Sequence, residues 1–165
     1  MLRLYTYYRS SAAYRVRIAL AIKGLAYESV PVHLLRSGGE QLQPAYRAVN
    51  PAALVPALQG DDATLTQSLA ILEYLEETHL APAPLPADAA GRARALHLLT
   101  GTRWATEAQR QDGTRHWRAL GLAAIEAQLA RDPQTGLCCD GDTPTLADCC
   151  LVPQMFTARR FGLDL

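Results

Sequence analysis

The sequence predicts a small α/β domain of thioredoxin-like element order, followed by an all-α helical domain. Three observations predict it. Strand-like and helix-like patterns alternate through the first 80 residues in the order β-α-β-α-β-β-α. A stretch from His79 to Asp88 then carries Pro82, Pro84 and Pro86 at alternate positions. Proline lacks an N–H and fixes φ, so this stretch ends any helix that enters it and reads as a linker. Beyond it only helical periods occur. The expected boundaries are 1–80 for the first domain, 81–87 for the linker and 88–165 for the helical domain.

Each element has a local reason. Leu2 to Tyr7 is short, aromatic and β-prone. Ala12 to Lys23 places Val16, Ala19 and Leu20 at helical spacing, and Gly24 stands just past its end as a stop. Tyr27 to Val32 reads as a second strand, and Gln41 to Ala48 as a short helix after a Gly-Gly loop. Leu54 to Gln59 is strand-like, Gly60-Asp61-Asp62 is a turn, and Ala63 to Thr66 pairs back across it. Gln67 to Thr78 is a helix, apolar at Leu69, Leu72 and Leu75. In the second domain, helices are expected over Asp88 to about Leu99, over Thr114 to Ala130 and over Thr145 to about Arg159. Trp117, Leu120, Ala124 and Ile125 share a face of the second. Thr145-Leu146-Ala147-Asp148 is a capping box for the third, and Pro153 inside that helix should bend it or loosen a turn.

Composition limits the function. Sixteen Lys+Arg balance 16 Asp+Glu over 165 residues, so no general pull on nucleic acid or an anionic membrane is expected. With 49% hydrophobic residues the chain can bury a core. No apolar run approaches the roughly 18 residues of a membrane span. The N-terminus lacks the apolar core of a secretory signal. Lys23 is the only lysine and Asn50 the only asparagine, a coding bias towards arginine and alanine. Cys138-Cys139 and Cys149-Cys150 lack zinc-ligand or redox spacing and read as buried or half-buried thiols in a reducing cytosol, with no metal. His33, His79, His97 and His116 form no ligand set or triad.

Four places can carry chemistry. Ser10-Ser11 stand where a strand hands over to a helix. A serine there is either an N-cap or a donor to an external anion, helped by the helix dipole. Arg15 and Arg17, one turn on, either add positive charge to that site or are solvated surface. Asn50-Pro51 through Val55-Pro56 precedes a strand. A proline there is either a plain strand start or, with a cis bond, a way to present the preceding backbone to an extended peptide. Gln67-Ser68 opens a helix and is either an ordinary cap or a grip for a carboxylate. Tyr5, Tyr7 and Tyr8 are rival hydroxyls near the first strand's end, most of them better suited to packing.

Three of these stretches together carry a resemblance: Ser10-Ser11-Ala12-Ala13-Tyr14-Arg15-Val16-Arg17-Ile18-Ala19-Leu20, Asn50-Pro51 through Val55-Pro56, and Gln67-Ser68 through Glu77. With Gly141 to Gln154 they resemble the zeta class of glutathione transferases over nearly the whole chain. The serine-rich start is specific to that class; Val-Pro and Gln-Ser are shared more widely. The resemblance implies the glutathione transferase fold, a homodimer, a cytoplasmic location and glutathione as cofactor. It implies glutathione-dependent cis-trans isomerisation of maleylacetoacetate, or a similar maleyl dicarboxylate, to the fumaryl isomer in phenylalanine and tyrosine catabolism. Ser10, Ser11 and Arg15 are the implied catalytic residues. Ser10, Ser11, Ala12, Arg15, Gln41, Val55, Gln67 and Ser68 are the implied glutathione-binding set, and Arg15 and Arg160 the substrate-binding pair.

In the mechanism it implies, Ser10 donates to the glutathione sulfur, and the thiolate adds to the cis double bond, permits rotation and is eliminated. Three departures from the class stand out: Ala12 replaces its usual Cys, a helical stretch with an Asp-Ile-(His/Gln)-Pro-Leu-x-Asn element is missing after Leu99, and the class continues beyond Leu165. The helical domain is therefore expected to be shortened. Two other functions fit the same scaffold: a non-catalytic glutathione-binding or dimerising module, and a glutathione conjugase or dehalogenase.

Overall fold

The computed structural model describes residues 1–61, 63–79, 81–84, 86, 88–93, 113–160, 162 and 163, with residues 113–118 and 120 by their backbone. They fall into two compact units, Met1–Pro82 and Ala83–Leu165. In the first, β1 (Leu2–Thr6), α1 (Ser11–Ile22), β2 (Tyr27–Pro31), α2 (Pro44–Arg47), β3 (Ala57–Gln59), β4 (Thr64–Thr66) and α3 (Ser68–Thr78) follow in that order. The expected β-α-β-α-β-β-α order is what the chain adopts. The sheet runs β2-β1-β3-β4. β1 pairs parallel with β2, setting Leu4 opposite Ser29, and antiparallel with β3, setting Leu4 opposite Leu58. β3 and β4 close antiparallel across the Gly60 turn, where Gly60 N–H bonds Ala63 O at 2.9 Å.

The core follows the periodicity. Leu4 and Leu58 from the sheet, Val16 and Leu20 from α1, and Ile71, Leu72 and Leu75 from α3 are essentially inaccessible to solvent. α1 is fixed at both ends. Ser10 Oγ accepts the Ala13 N–H at 3.2 Å. At the far end Gly24, at φ +63°, lets Leu25 N–H reach Leu20 O and its own N–H reach Ala21 O, a Schellman pair that stops the helix.

Several boundaries differ from expectation. β3 begins at Ala57 rather than Leu54, because the Leu54 carbonyl is taken by side chains: Tyr46 Oη donates to it at 2.6 Å and Asn50 Nδ2 at 2.7 Å. In place of the expected helix over 41–48, the second of two 3-10 turns, Arg36–Gly38 and Glu40–Leu42, leads into a single turn of α2. Its start is set by Pro44, whose missing N–H is harmless at a first helical turn.

The second unit contains a helical start at residues 89–93 (α4), α5 (Gly113–Leu129) and α6 (Leu146–Arg160). Asp88 caps α4, its Oδ1 accepting Gly91 N–H at 2.7 Å. Ile125 of α5 packs with Cys139 and Ala147, flanked by Leu129 and Leu151. The capping box of α6 is formed. Asp148 Oδ2 accepts both the N–H and the hydroxyl of Thr145, at 2.7 and 2.8 Å, while its Oδ1 accepts Cys139 N–H at 2.9 Å. These donors outweigh burial, which alone would raise it, and hold the Asp148 carboxyl below the usual range. Pro153 lies buried inside α6, which runs helical through it. The expected continuation of α4 to Leu99, with His97, and the stretch through Trp104 lie outside the described residues, as do the side chains of His116, Trp117 and Leu120.

Candidate glutathione-type active site

The structure places Ser10 where a hydroxyl can do two things at once. Its Oγ caps α1 as an acceptor, which leaves its own proton free to be donated outward. The N-cap and anion-donor readings of this residue are therefore compatible. Ser11 and Ala12 are the first two residues of α1, and both are half-buried. No acidic side chain stands in that first turn, so the turn itself does not neutralise the positive helix end. Tyr7 is buried and stacks edge-on against Tyr8 and His33, in keeping with a packing role.

Arg17 and Arg15 part company. Arg17 lays its guanidinium over the Tyr14 ring, 5.0 Å from the centroid. Arg15 is buried, and its Nη1 donates to Ser68 Oγ at 3.0 Å. It thus bridges α1 to the start of α3. Ser68 is itself buried, and Gln67 before it adopts φ +68° and ψ +115° with no side-chain cap bond. Among the described residues, the first N–H groups of α3 meet no capping side chain.

The Val55-Pro56 peptide bond is cis. Val55 lies outside the ladder, which starts at Ala57. Its loop is secured from behind by the Tyr46 and Asn50 bonds to Leu54 O, and Asn50 Oδ1 accepts Ala52 N–H at 3.1 Å. Sequence reasoning missed Tyr46 and the loop-building use of Asn50, although a lone asparagine directly before a proline was the available signal. A second cis bond, Ala81-Pro82, was also missed. Gln41 sits in the 3-10 turn with its Oε1 buried and unpartnered. A side chain at Gly39, whose φ is +105°, would meet the Gln41 amide at 2.7 Å. His33 organises the same loop, its Nδ1 accepting the N–H groups of Leu35 and Arg36. Arg160 closes α6, where a cation suits the negative helix end.

The cysteines all belong to the second unit. Burial, with the Asp148 carboxylate beside it, pushes the Cys139 thiol up to about 12, and burial does the same to Cys149. Neither supplies a thiolate near neutral pH. No group of His, Cys, Asp and Glu able to hold a metal is found among the described residues, and no described helix is long and apolar enough to cross a membrane.

The site residues of the first unit fit a γ-glutamyl tripeptide thiol. An uncapped helix start beside a buried cation suits a carboxylate, free backbone at Val55 suits an extended peptide, and the Ser10 hydroxyl suits a thiolate. Residues 4–83 match the family model of the glutathione S-transferase N-terminal domain. The chain is 48% identical to the maleylacetoacetate isomerase of Pseudomonas aeruginosa, over 99% of this chain and 84% of that protein. It superposes on the holo structure of a bacterial zeta-class maleylpyruvate isomerase with a TM-score of 0.90, at 42% identity, covering 99% of this chain and 85% of that one. The maleylacetoacetate isomerase of Anaeromyxobacter dehalogenans, solved with glutathione in its active site, gives a TM-score of 0.82 at 46% identity, covering 100% of this chain and 84% of that one. By sequence over almost its whole length and by fold, the chain belongs to the zeta class of the glutathione S-transferases, with the maleylacetoacetate isomerases.

Proposed function

We propose that this chain is a glutathione-dependent isomerase that converts a maleyl dicarboxylate of the maleylacetoacetate or maleylpyruvate type to its fumaryl isomer. The observation that carries the reading is the Ser10 hydroxyl at the N-terminus of α1, capping the helix as an acceptor with its proton still to give. The family membership supports the substrate class.

When bound, glutathione supplies a thiol nucleophile that adds reversibly to the double bond and is released unchanged. The chain's own residues do the rest. Ser10 donates to the sulfur and favours its ionised form, aided by the first N–H groups of α1, with Ser11 beside it. Val55 offers its backbone to the cysteinyl residue, Gln67 and Ser68 meet the γ-glutamyl carboxylate, and Gln41 and Ala12 line the same pocket. For a substrate carboxylate, the family resemblance offers Arg160 of the second unit. Arg15, buried against Ser68, is assigned to the glutathione side of the site rather than to substrate. The wider reading includes a cytoplasmic homodimer serving phenylalanine and tyrosine catabolism.

Thiol titration during turnover tests the reaction class. Free thiol constant while the maleyl substrate disappears supports isomerisation. Thiol falling in step with substrate would make the chain a conjugase, and binding without turnover a glutathione-binding module.

A further inference from the structure

Arg15 is nine-tenths buried, yet among the described residues no carboxylate lies within ion-pair distance of it. Among the described residues its one side-chain hydrogen bond runs from Nη1 to Ser68 Oγ, and its Nε is buried with no partner there. Ser68 opens α3, so this cation stands at the positive end of a helix, where cations are disfavoured. A buried charge without a counter-charge, beside a like partial charge, is costly unless something anionic completes the site.

The bond to Ser68 has a direction. A guanidinium only donates, so the Ser68 oxygen must accept. The Ser68 hydroxyl proton is thereby turned away from Arg15, and no acceptor for it is found among the described residues. Arginine thus fixes the serine as an outward donor before any ligand arrives.

We infer that Arg15 is a positioning residue. It acts through Ser68, orienting that hydroxyl and supplying the buried positive charge that makes the start of α3 selective for the ionised γ-glutamyl carboxylate of glutathione. This rests on the glutathione reading above. It differs from a substrate contact, because the arginine's effect is confined to one carboxylate of the cofactor.

Calorimetry with glutathione, and with an analogue whose γ-glutamyl α-carboxylate is an amide, tests it. The native chain should prefer glutathione by roughly tenfold to a hundredfold, the worth of a charge-assisted bond. Arg15→Met should weaken glutathione by a similar factor and reduce the preference to within about threefold. Ser68→Ala should do the same, and the double variant should bind no more than about threefold worse than the weaker single. Arg15→Lys, which keeps charge and donor, should recover part of the loss. In turnover, Arg15→Met should raise KM for glutathione and leave kcat at saturating glutathione nearly unchanged. Full additivity, unaltered discrimination in Arg15→Met, or a fall in kcat alone would overturn the inference while leaving the glutathione reading standing. Failure of the native chain to bind glutathione would overturn both. Should circular dichroism show Arg15→Met unfolded, Ser68→Ala decides: discrimination at the native level there overturns the inference.

Discussion

Lys23, the only lysine of the chain, should hold the end of the first unit together, and its removal should be costly. Its side chain is 1% exposed, and its ammonium donates to two carbonyls, those of His79 and Pro82, the second at 3.0 Å. It also lies 3.0 Å from Glu76 Oε2, whose side chain is 14% exposed, in an ion pair. Lys23→Met keeps the aliphatic stem and deletes the charge, so two carbonyls lose this donor and the Glu76 carboxylate loses this cation. Breaking a buried ion pair from one side costs about 3–5 kcal/mol, and we take about 4 kcal/mol as the expected loss. For a chain of this length that lowers Tm by about 8–16 °C. Urea unfolding followed by circular dichroism measures it, with the midpoint moving at constant slope. Glu76→Gln in the same background should recover roughly half, since the carboxylate charge that faced Lys23 is then gone. Lys23→Arg should remain destabilised, because a planar guanidinium does not replace a compact ammonium in a closed site. A loss below about 1 kcal/mol for Lys23→Met would show that the site rehydrates freely and would refute the reasoning.

Ser10→Ala should cut turnover roughly tenfold to a hundredfold and also cost about 1 kcal/mol of stability through the lost cap, whereas Ser11→Ala should do neither to that extent. Steady-state rates and melts of the two variants check this, and equal effects would mean the roles are misassigned. The Asp148 carboxyl is held low in the folded chain, so its stabilising contribution should be complete above the unfolded value near 3.9 and vanish as pH falls through the lower folded value. Asp148→Asn should flatten the acid limb of the stability curve, and an unchanged limb would contradict the assignment. Ala12→Cys should tighten glutathione binding in calorimetry if a thiol at this position helps orient the cofactor, and weaker binding would show a pocket shaped around alanine.

What the sequence made legible was what repeats or caps. Alternation and helical spacing gave the element order, Gly24 the end of α1, and Thr145 with Asp148 the start of α6. Ser10-Ser11, Val55-Pro56 and Gln67-Ser68 were readable because each sits at the edge of an element, where unpaired backbone is available. Other features depend on partners far along the chain. Spacing leaves Arg15 open between a charge at the site and solvated surface, and only Ser68, 53 residues away, shows where its buried guanidinium goes. Lys23 finds its carbonyls 56 and 59 residues on. The late start of β3 comes from side chains of Tyr46 and Asn50 competing for a carbonyl that propensity assigns to the sheet.

Glutathione stoichiometry tests the central claim most directly. The full chain is mixed with excess maleylacetoacetate and about one glutathione per hundred substrate molecules, and the olefinic protons are followed by NMR. Conversion of the whole substrate pool to the trans isomer, with the glutathione recovered unmodified, is the predicted result. Conversion that halts after one equivalent of glutathione, with an adduct in place of free thiol, would contradict it.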